Sequence, residues 1–315
     1  MGVLDGKIAV VAGGSRGVGR GCVLELAAAG AKVYILGRTL TEGDSAFPGS
    51  LSKTVSEAAD LGGHAVPIVC DLRSDAQIEA VFARVIAEDG QIDVLVNSAF
   101  DLPEGCGNGE RFFETPISFF DDMMAVSARS VYVTTWHAAQ HMIPRRKGLV
   151  VNISSQGSRE FFVHATYGVS KAALDRIGQD AGRELAAQGV ALVTLWPSFV
   201  LTERILSLDA DEWELDLTDA ESPRFPGRGV VALAADPDVV TRSGRIYTTC
   251  LLYTSDAADE RSSVDLGGRR IIKKKKHVKK IHIKNAAAYI RIETHTYNEI
   301  RDHRRREITD RSTKH

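Results

Sequence analysis

Between residues 7 and 249, short runs of β-branched and aliphatic residues alternate with stretches of helical period. The apolar runs cover 7–11, 32–36, 65–69, 92–96, 149–153, 190–195 and 245–249. Helices are predicted near 18–29, 51–61, 75–88, 117–143 and 167–187. Strands that are apolar on both faces and separated by helices imply a parallel sheet covered on both sides. With right-handed crossovers the expected fold is α/β, a doubly wound parallel sheet of about seven strands, in a single domain over residues 1–250. Ligands bind such sheets at the carboxyl ends of the strands, near the switch in strand order. The connections 100–113 and 201–226 are expected to be long loops at that end. Phe112, Phe113, Phe161, Phe162 and Trp213 would supply an apolar pocket there.

The residues that follow the strands carry the chemistry. The first run passes into Val11-Ala12-Gly13-Gly14-Ser15-Arg16-Gly17-Val18-Gly19 and then into a helix. Gly13 suits a tight turn, Gly17 a close backbone approach to a phosphate, and Gly19 close helix–strand packing. The helix start points its amides at an anion. Gly13, Ser15, Arg16, Gly17, Val18 and Gly19 are therefore the expected loop for a dinucleotide. The second strand ends Ile35-Leu36-Gly37-Arg38, without the acid that binds a ribose hydroxyl. Arg38, joined by Arg16, suits a 2′-phosphate instead, so the expected cofactor is NADP.

Tyr167-Gly168-Val169-Ser170-Lys171 sets a tyrosine and a lysine four apart on one helical face, after a strand ending Asn152-Ile153-Ser154-Ser155. A phenol titrates near pH ~10, and a neighbouring ammonium favours its phenolate. A serine hydroxyl could hold a substrate carbonyl beside that phenol while a nicotinamide exchanges hydride with its carbon. Ser154 and Ser155 lie 13 and 12 residues before Tyr167, and alignment of the strand ends favours Ser155.

In this order, and with Asp71, Asn97-Ser98-Ala99, Pro197 and Thr202 at their places, residues 5–249 resemble the short-chain dehydrogenase/reductases. Phe113-Glu114-Thr115-Pro116, Asp121-Asp122, Leu195-Trp196-Pro197 and Ser243-Gly244 are similar to one subgroup of that family. The resemblance implies catalysis by Ser155, Tyr167 and Lys171. It implies that Asp71 holds the adenine, that Asn97 braces the cofactor region, and that Lys171 also binds the nicotinamide ribose. Pro197 and Val200 join the cofactor set, and Thr202 would contact the carboxamide. The implied reaction is NADPH-dependent reduction of a ketone or aldehyde, lipophilic or steroid-like, or alcohol oxidation in reverse. The two long helices would serve as faces of a homodimer or homotetramer. Four departures from the family pattern stand out: Ala12 for threonine, Ser98-Ala99-Phe100 for Asn-Ala-Gly, Ser198 for glycine, and Ser127 where the family's helix asparagine falls. Ser127, Ser98 and Ser198 leave a second reading open, a catalytically weak NADP(H)-binding sensor or scaffold.

Composition changes the picture at the C-terminus. Residues 1–250 hold 22 Lys and Arg against 32 Asp and Glu, whereas residues 251–315 hold 17 against 9. From Cys250-Leu251-Leu252-Tyr253-Thr254-Ser255-Asp256 onward the text resembles a translated sequencing adapter, and the four lysines at 273–276 a translated poly-A stretch. That region is expected to be artefactual, or else a disordered basic tail. A nucleic-acid arm is a third reading without motif support, and no nucleic acid is taken as a partner. Cys22, Cys70, Cys106 and Cys250 show no paired spacing, and the N-terminus reads as no signal peptide. No apolar run reaches 18 residues. The expected location is cytoplasmic, with attachment to an internal membrane left open. His137 and His141, four apart, lack a third ligand, so no metal is expected. The sequon at Asn152 falls on a strand end and is discounted.

Overall fold

The computed structural model describes residues 2–45, 47–103, 110–207 and 220–252. Cys106, Trp213 and the basic region from 253 onward lie outside the described residues. Seven strands form one sheet: β1 (Ile8–Ala12), β2 (Lys32–Gly37), β3 (His64–Val69), β4 (Val94–Asn97), β5 (Leu149–Ile153), β6 (Ala191–Trp196) and β7 (Ile246–Thr248). Every pairing is parallel, in the order β3-β2-β1-β4-β5-β6-β7. The order reverses between β1 and β4, so the connections there diverge and leave a crevice.

Alternation along the strands sorts the core into two faces. Ala9, Val11, Val33, Ile35, Val94, Val96, Val151 and Val193 pack on one side with α1 (Gly17–Ala28), α2 (Leu51–Asp60) and α8 (Arg224–Ala235). Val10, Tyr34, Leu36, Leu95, Val150 and Leu192 pack on the other with α3 (Asp75–Asp89), α5 (Ser130–Met142) and α6 (Ala165–Ala187). Each fully buried aliphatic side chain contributes roughly 1.5–3 kcal/mol, so the central strands anchor the molecule. Local chemistry sets the helix ends. Ser50 Oγ accepts from Lys53 N at 3.2 Å to start α2, and Gly90 closes α3 at φ +71°.

Two elements depart from the pattern. The single helix expected over 117–143 is α4 (Ser118–Met124), a π-turn at Ala125–Arg129, and then α5 without a break. The loop expected over 201–226 contains a short α7 (Glu203–Leu206), and α8 starts before it would end. Helix α8 carries Pro226, Gly227 and Gly229, which read as breakers. Pro226 lies in its first turn, where its missing N–H does no harm. A Cβ on Gly227 would lie 2.5 Å from the Gly21 oxygen of α1, so that glycine serves close packing. No helix among the described residues is long and apolar enough to cross a membrane.

Candidate active site

The carboxyl ends of the strands open into a cleft of about 750 Å³ over the switch point, and nearly all of the residues singled out from sequence line it. At one end is the glycine turn. Gly13 has φ +87°, and a Cβ on it would sit 2.6 Å from the Ala99 Cα; one on Gly19 would sit 2.0 Å from the Gly13 oxygen. Any side chain there would force the turn off the β4 loop or lift α1 from β1. Ser15, Arg16, Gly17 and Val18 line the cleft beside them. The Gly17 amide donates to Glu203 Oε2 at 2.7 Å, and Arg20 Nη1 holds the other carboxylate oxygen at 3.0 Å. Glu203 was not among the expected site residues; its place directly after Thr202 is the one signal for it in the sequence.

Arg16 and Arg38 stand at the end of β2. Arg16 donates to Ser45 Oγ, Thr39 Oγ1 and the Gly49 oxygen at 3.1, 3.2 and 3.0 Å, while its buried Nε has no partner among the described residues. Burial pushes the Arg16 guanidinium below its ordinary value; Glu203 acts against this and Arg38 with it. Arg38 is exposed and lies 3.4 Å from Asp101 Oδ2, a carboxylate that Arg73 also holds. Asp71 lines the same end, its Oδ1 accepting from Arg73 N at 3.0 Å. Asn97 lies behind the cleft wall. Its Nδ2 donates to Asn152 Oδ1 at 2.9 Å and Thr135 Oγ1 at 3.2 Å, and its Oδ1 accepts from Thr134 at 2.8 Å. It therefore ties β4, β5 and α5 together.

At the other end α6 presents Tyr167 and Lys171 on one face. Ser155 Oγ lies 2.8 Å from the Tyr167 hydroxyl. Ser154, nearly equal by spacing, turns inward and donates to the Lys171 carbonyl at 3.3 Å. The Lys171 ammonium lies 4.7 Å from the centre of the Phe100 ring and 5.6 Å from that of Tyr167, and Phe100 meets Tyr167 edge-on at 5.5 Å. Burial pushes the Tyr167 phenol above its ordinary value, with the Ser155 bond acting the other way. The lowering expected from the ammonium is not seen: burial sets the direction for Tyr167, and only the Ser155 bond acts against it. Burial pulls Lys171 down to about 8, against the charge of Asp175 one turn along.

Asp175 was not singled out from sequence either. Its Oδ2 accepts from Ser158 Oγ at 2.6 Å and its Oδ1 from Trp196 Nε1 at 3.0 Å. It thereby links α6 to the turn after Ser155 and to the end of β6 before Pro197. An acid four residues after a lysine is a legible helical pair, though common on surfaces. Ser127 is fully buried in the π-turn, and its hydroxyl has no partner among the described residues. Pro197, Val200 and Thr202 line the cleft after β6, with Thr202 also capping α7. The aromatic expectation divides. Phe161 and Phe162 line the cleft, but Phe112 and Phe113 are each 65% exposed and pack on one another. His137 stacks on Phe82 at 5.4 Å, and no group of metal-ligating side chains occurs among the described residues.

A model of the short chain dehydrogenase family matches residues 7–213. Dehydrogenase/reductase SDR family member 1 of Mus musculus is 38% identical over 281 residues, covering 85% of this chain and 86% of that protein. The 3-oxoacyl-(acyl-carrier-protein) reductase of Escherichia coli is 28% identical over 231 residues, covering 73% of this chain and 88% of that one. A solved metagenomic short-chain oxidoreductase in complex with NADP superposes with a TM-score of 0.62 at 26% identity, covering 75% of this chain and 93% of that one. A nicotinamide dinucleotide fits the residues present here: glycines whose Cβ atoms would collide, and a buried arginine nitrogen left unpaired beside the end of β2. Fold, cleft and likeness agree, and the chain belongs to the short-chain dehydrogenase/reductase family of NAD(P)-using oxidoreductases.

Proposed function

We propose that the chain is an NADPH-dependent reductase that converts a ketone or aldehyde of lipophilic character, steroid-like in size, into an alcohol. The observation that carries the reading is the 2.8 Å contact between Ser155 Oγ and the Tyr167 hydroxyl, with Lys171 one turn along the same helix. Two hydroxyls that close on each other can both close on one carbonyl oxygen. Ser155 would hold that oxygen, and Tyr167 would give it a proton. The raised phenol suits this direction, because it stays protonated at neutral pH. Lys171 would hold the nicotinamide ribose and offset the phenolate left behind. When bound, the nicotinamide supplies hydride to the carbonyl carbon. Arg38 and Arg16, with no acid at the end of β2, support the 2′-phosphate. Phe100, Phe161 and Phe162 along the cleft support an apolar substrate. The buried, unpaired Cys22 and Cys70 support a cytoplasmic setting, and Tyr132 and Trp136, exposed one turn apart on α5, support a homo-oligomer face.

The test is NADPH oxidation over a carbonyl panel that includes phenanthrenequinone. Tyr167→Phe is expected to lower kcat by roughly 100- to 10,000-fold while NADPH binding persists. NADPH binding without turnover of any carbonyl would instead favour the sensor reading that Ser127, Ser98 and Ser198 motivate.

A further inference from the structure

Helix α6 starts on a residue that titrates. His164 is its N-cap, three residues before Tyr167, and is 2% exposed. Its Nδ1 accepts from the Thr166 amide at 3.2 Å. A ring nitrogen accepts only without a proton, so Nε2 carries the hydrogen. Nε2 lies 3.4 Å from Thr115 Oγ1, which in turn donates to the Phe112 oxygen at 2.9 Å. The hydrogen bonds therefore run in one direction, from the ring through Thr115 to the backbone. Serine, threonine, asparagine or aspartate commonly caps a helix, and each keeps an acceptor oxygen near neutral pH. Histidine keeps its acceptor only while neutral. Protonation would set an N–H against the Thr166 N–H and a positive charge on the positive end of the helix dipole.

We propose that His164 is a positioning residue for the reaction: its neutral ring caps the helix that carries Tyr167 and Lys171, and its protonation removes that cap and disables the pair in mild acid. The inference rests on the roles proposed above for Tyr167 and Lys171. The charged and titratable groups on surrounding elements are Glu110, Arg111 and Glu114 before α4, Asp121 and Asp122 on α4, Glu160 after the Ser155 turn, and Tyr167, Lys171 and Asp175 on α6 itself. Arg111 pairs with Glu114, and Glu160 accepts from Gln156 at 2.7 Å. Among the described residues Glu110 is the charge that bears on the ring, and burial outweighs it, holding the imidazole below its ordinary value. The sign follows. The cap is complete above pH ~6.5, the ordinary imidazole value, and is lost as pH falls through the window below it.

The experiment uses the full chain as wild type, His164→Asn and His164→Ala, between about pH 8 and about pH 5. It measures hydrogen–deuterium exchange of the peptide over residues 162–168, corrected for the intrinsic rate, and kcat for phenanthrenequinone with NADPH. Asparagine caps without titrating. In the wild type, protection of the first α6 turn is expected to fall about fivefold or more across the acid range, and kcat with it. In His164→Asn protection should stay within about twofold, kcat near pH ~8 should match the wild type, and the acid limb should move down by about one pH unit. His164→Ala should lose protection and kcat at every pH. Superimposable acid profiles for wild type and His164→Asn would overturn the proposal. So would a cap that opens in acid while the kcat limbs coincide. Wild-type turnover by Tyr167→Phe would sink the underlying assignment instead, and exchange tells the two failures apart because it needs no turnover.

Discussion

Lys171 is 7% exposed and has its ammonium over two aromatic rings, with Asp175 one helical turn away as the charge that favours its protonated form. With the group at about 8, the ammonium is present below that pH and lost above it. Because kcat/KM reports the free enzyme, its alkaline limb is expected near that value. Asp175→Asn keeps the shape and removes the charge, so the limb should move to lower pH by roughly half to one unit. A pH–rate series on both proteins checks this, and an unmoved limb would remove Asp175 from the electrostatics of the site. At this scale the sequence was legible where chemistry and spacing coincide. Tyr167, Lys171, Arg38 and the glycines follow strands or share a helical face. Ser155 was favoured by strand-end alignment alone, and Ser154 differs from it only in which way the side chain turns. Asp175 and Glu203 left only faint local marks, an acid four residues after Lys171 and an acid directly after Thr202, and His164 left none. The contacts that give all three their places reach partners distant in the chain (Trp196, Gly17, Thr115).

Among the elements, α1 and α8 pack so closely that a Cβ on Gly21 would lie 1.9 Å from the Pro223 oxygen. Gly21→Ala should therefore destabilise the chain by about 1–3 kcal/mol, as overpacking does. Gly229, also on α8, is the contrast. A Cβ there would meet nothing nearer than 3.6 Å, so Gly229→Ala should stabilise by roughly 0.4–1 kcal/mol. Urea midpoints of the two variants test both signs. All seven strands fall within about two residues of the apolar runs. For the five inner strands this is because strands buried on both faces tolerate few polar residues, while the edge strands β3 and β7 are only partly buried. Helix α8 escaped notice because Pro226, Gly227 and Gly229 read as breakers, and in sequence a glycine that serves close packing, as Gly227 does, looks the same as one that ends a helix.

For the whole molecule, the two apolar faces dictate a covered parallel sheet, and the reversal of strand order dictates where the cleft lies. Occupancy of that cleft should register as stability. NADPH at about 100 times its Kd is expected to add about 2.7 kcal/mol, read as a rise in Tm. NADH at equal concentration should give a smaller rise, and Arg38→Ser should narrow the gap between the two. Equal shifts from both dinucleotides in the wild type would count against a 2′-phosphate site.

The π-turn at Ala125–Arg129 fixes a phase relation along one long rod. An α-helix advances about 100° per residue, so the extra residue in the wider turn sets α5 that far around the axis relative to α4. On one side of the offset Met123 points into the interior; on the other, Thr134 and Thr135 point at Asn97. Deleting any one residue of the wide turn would rewind the rod evenly, and then one of these two alignments must rotate out of register.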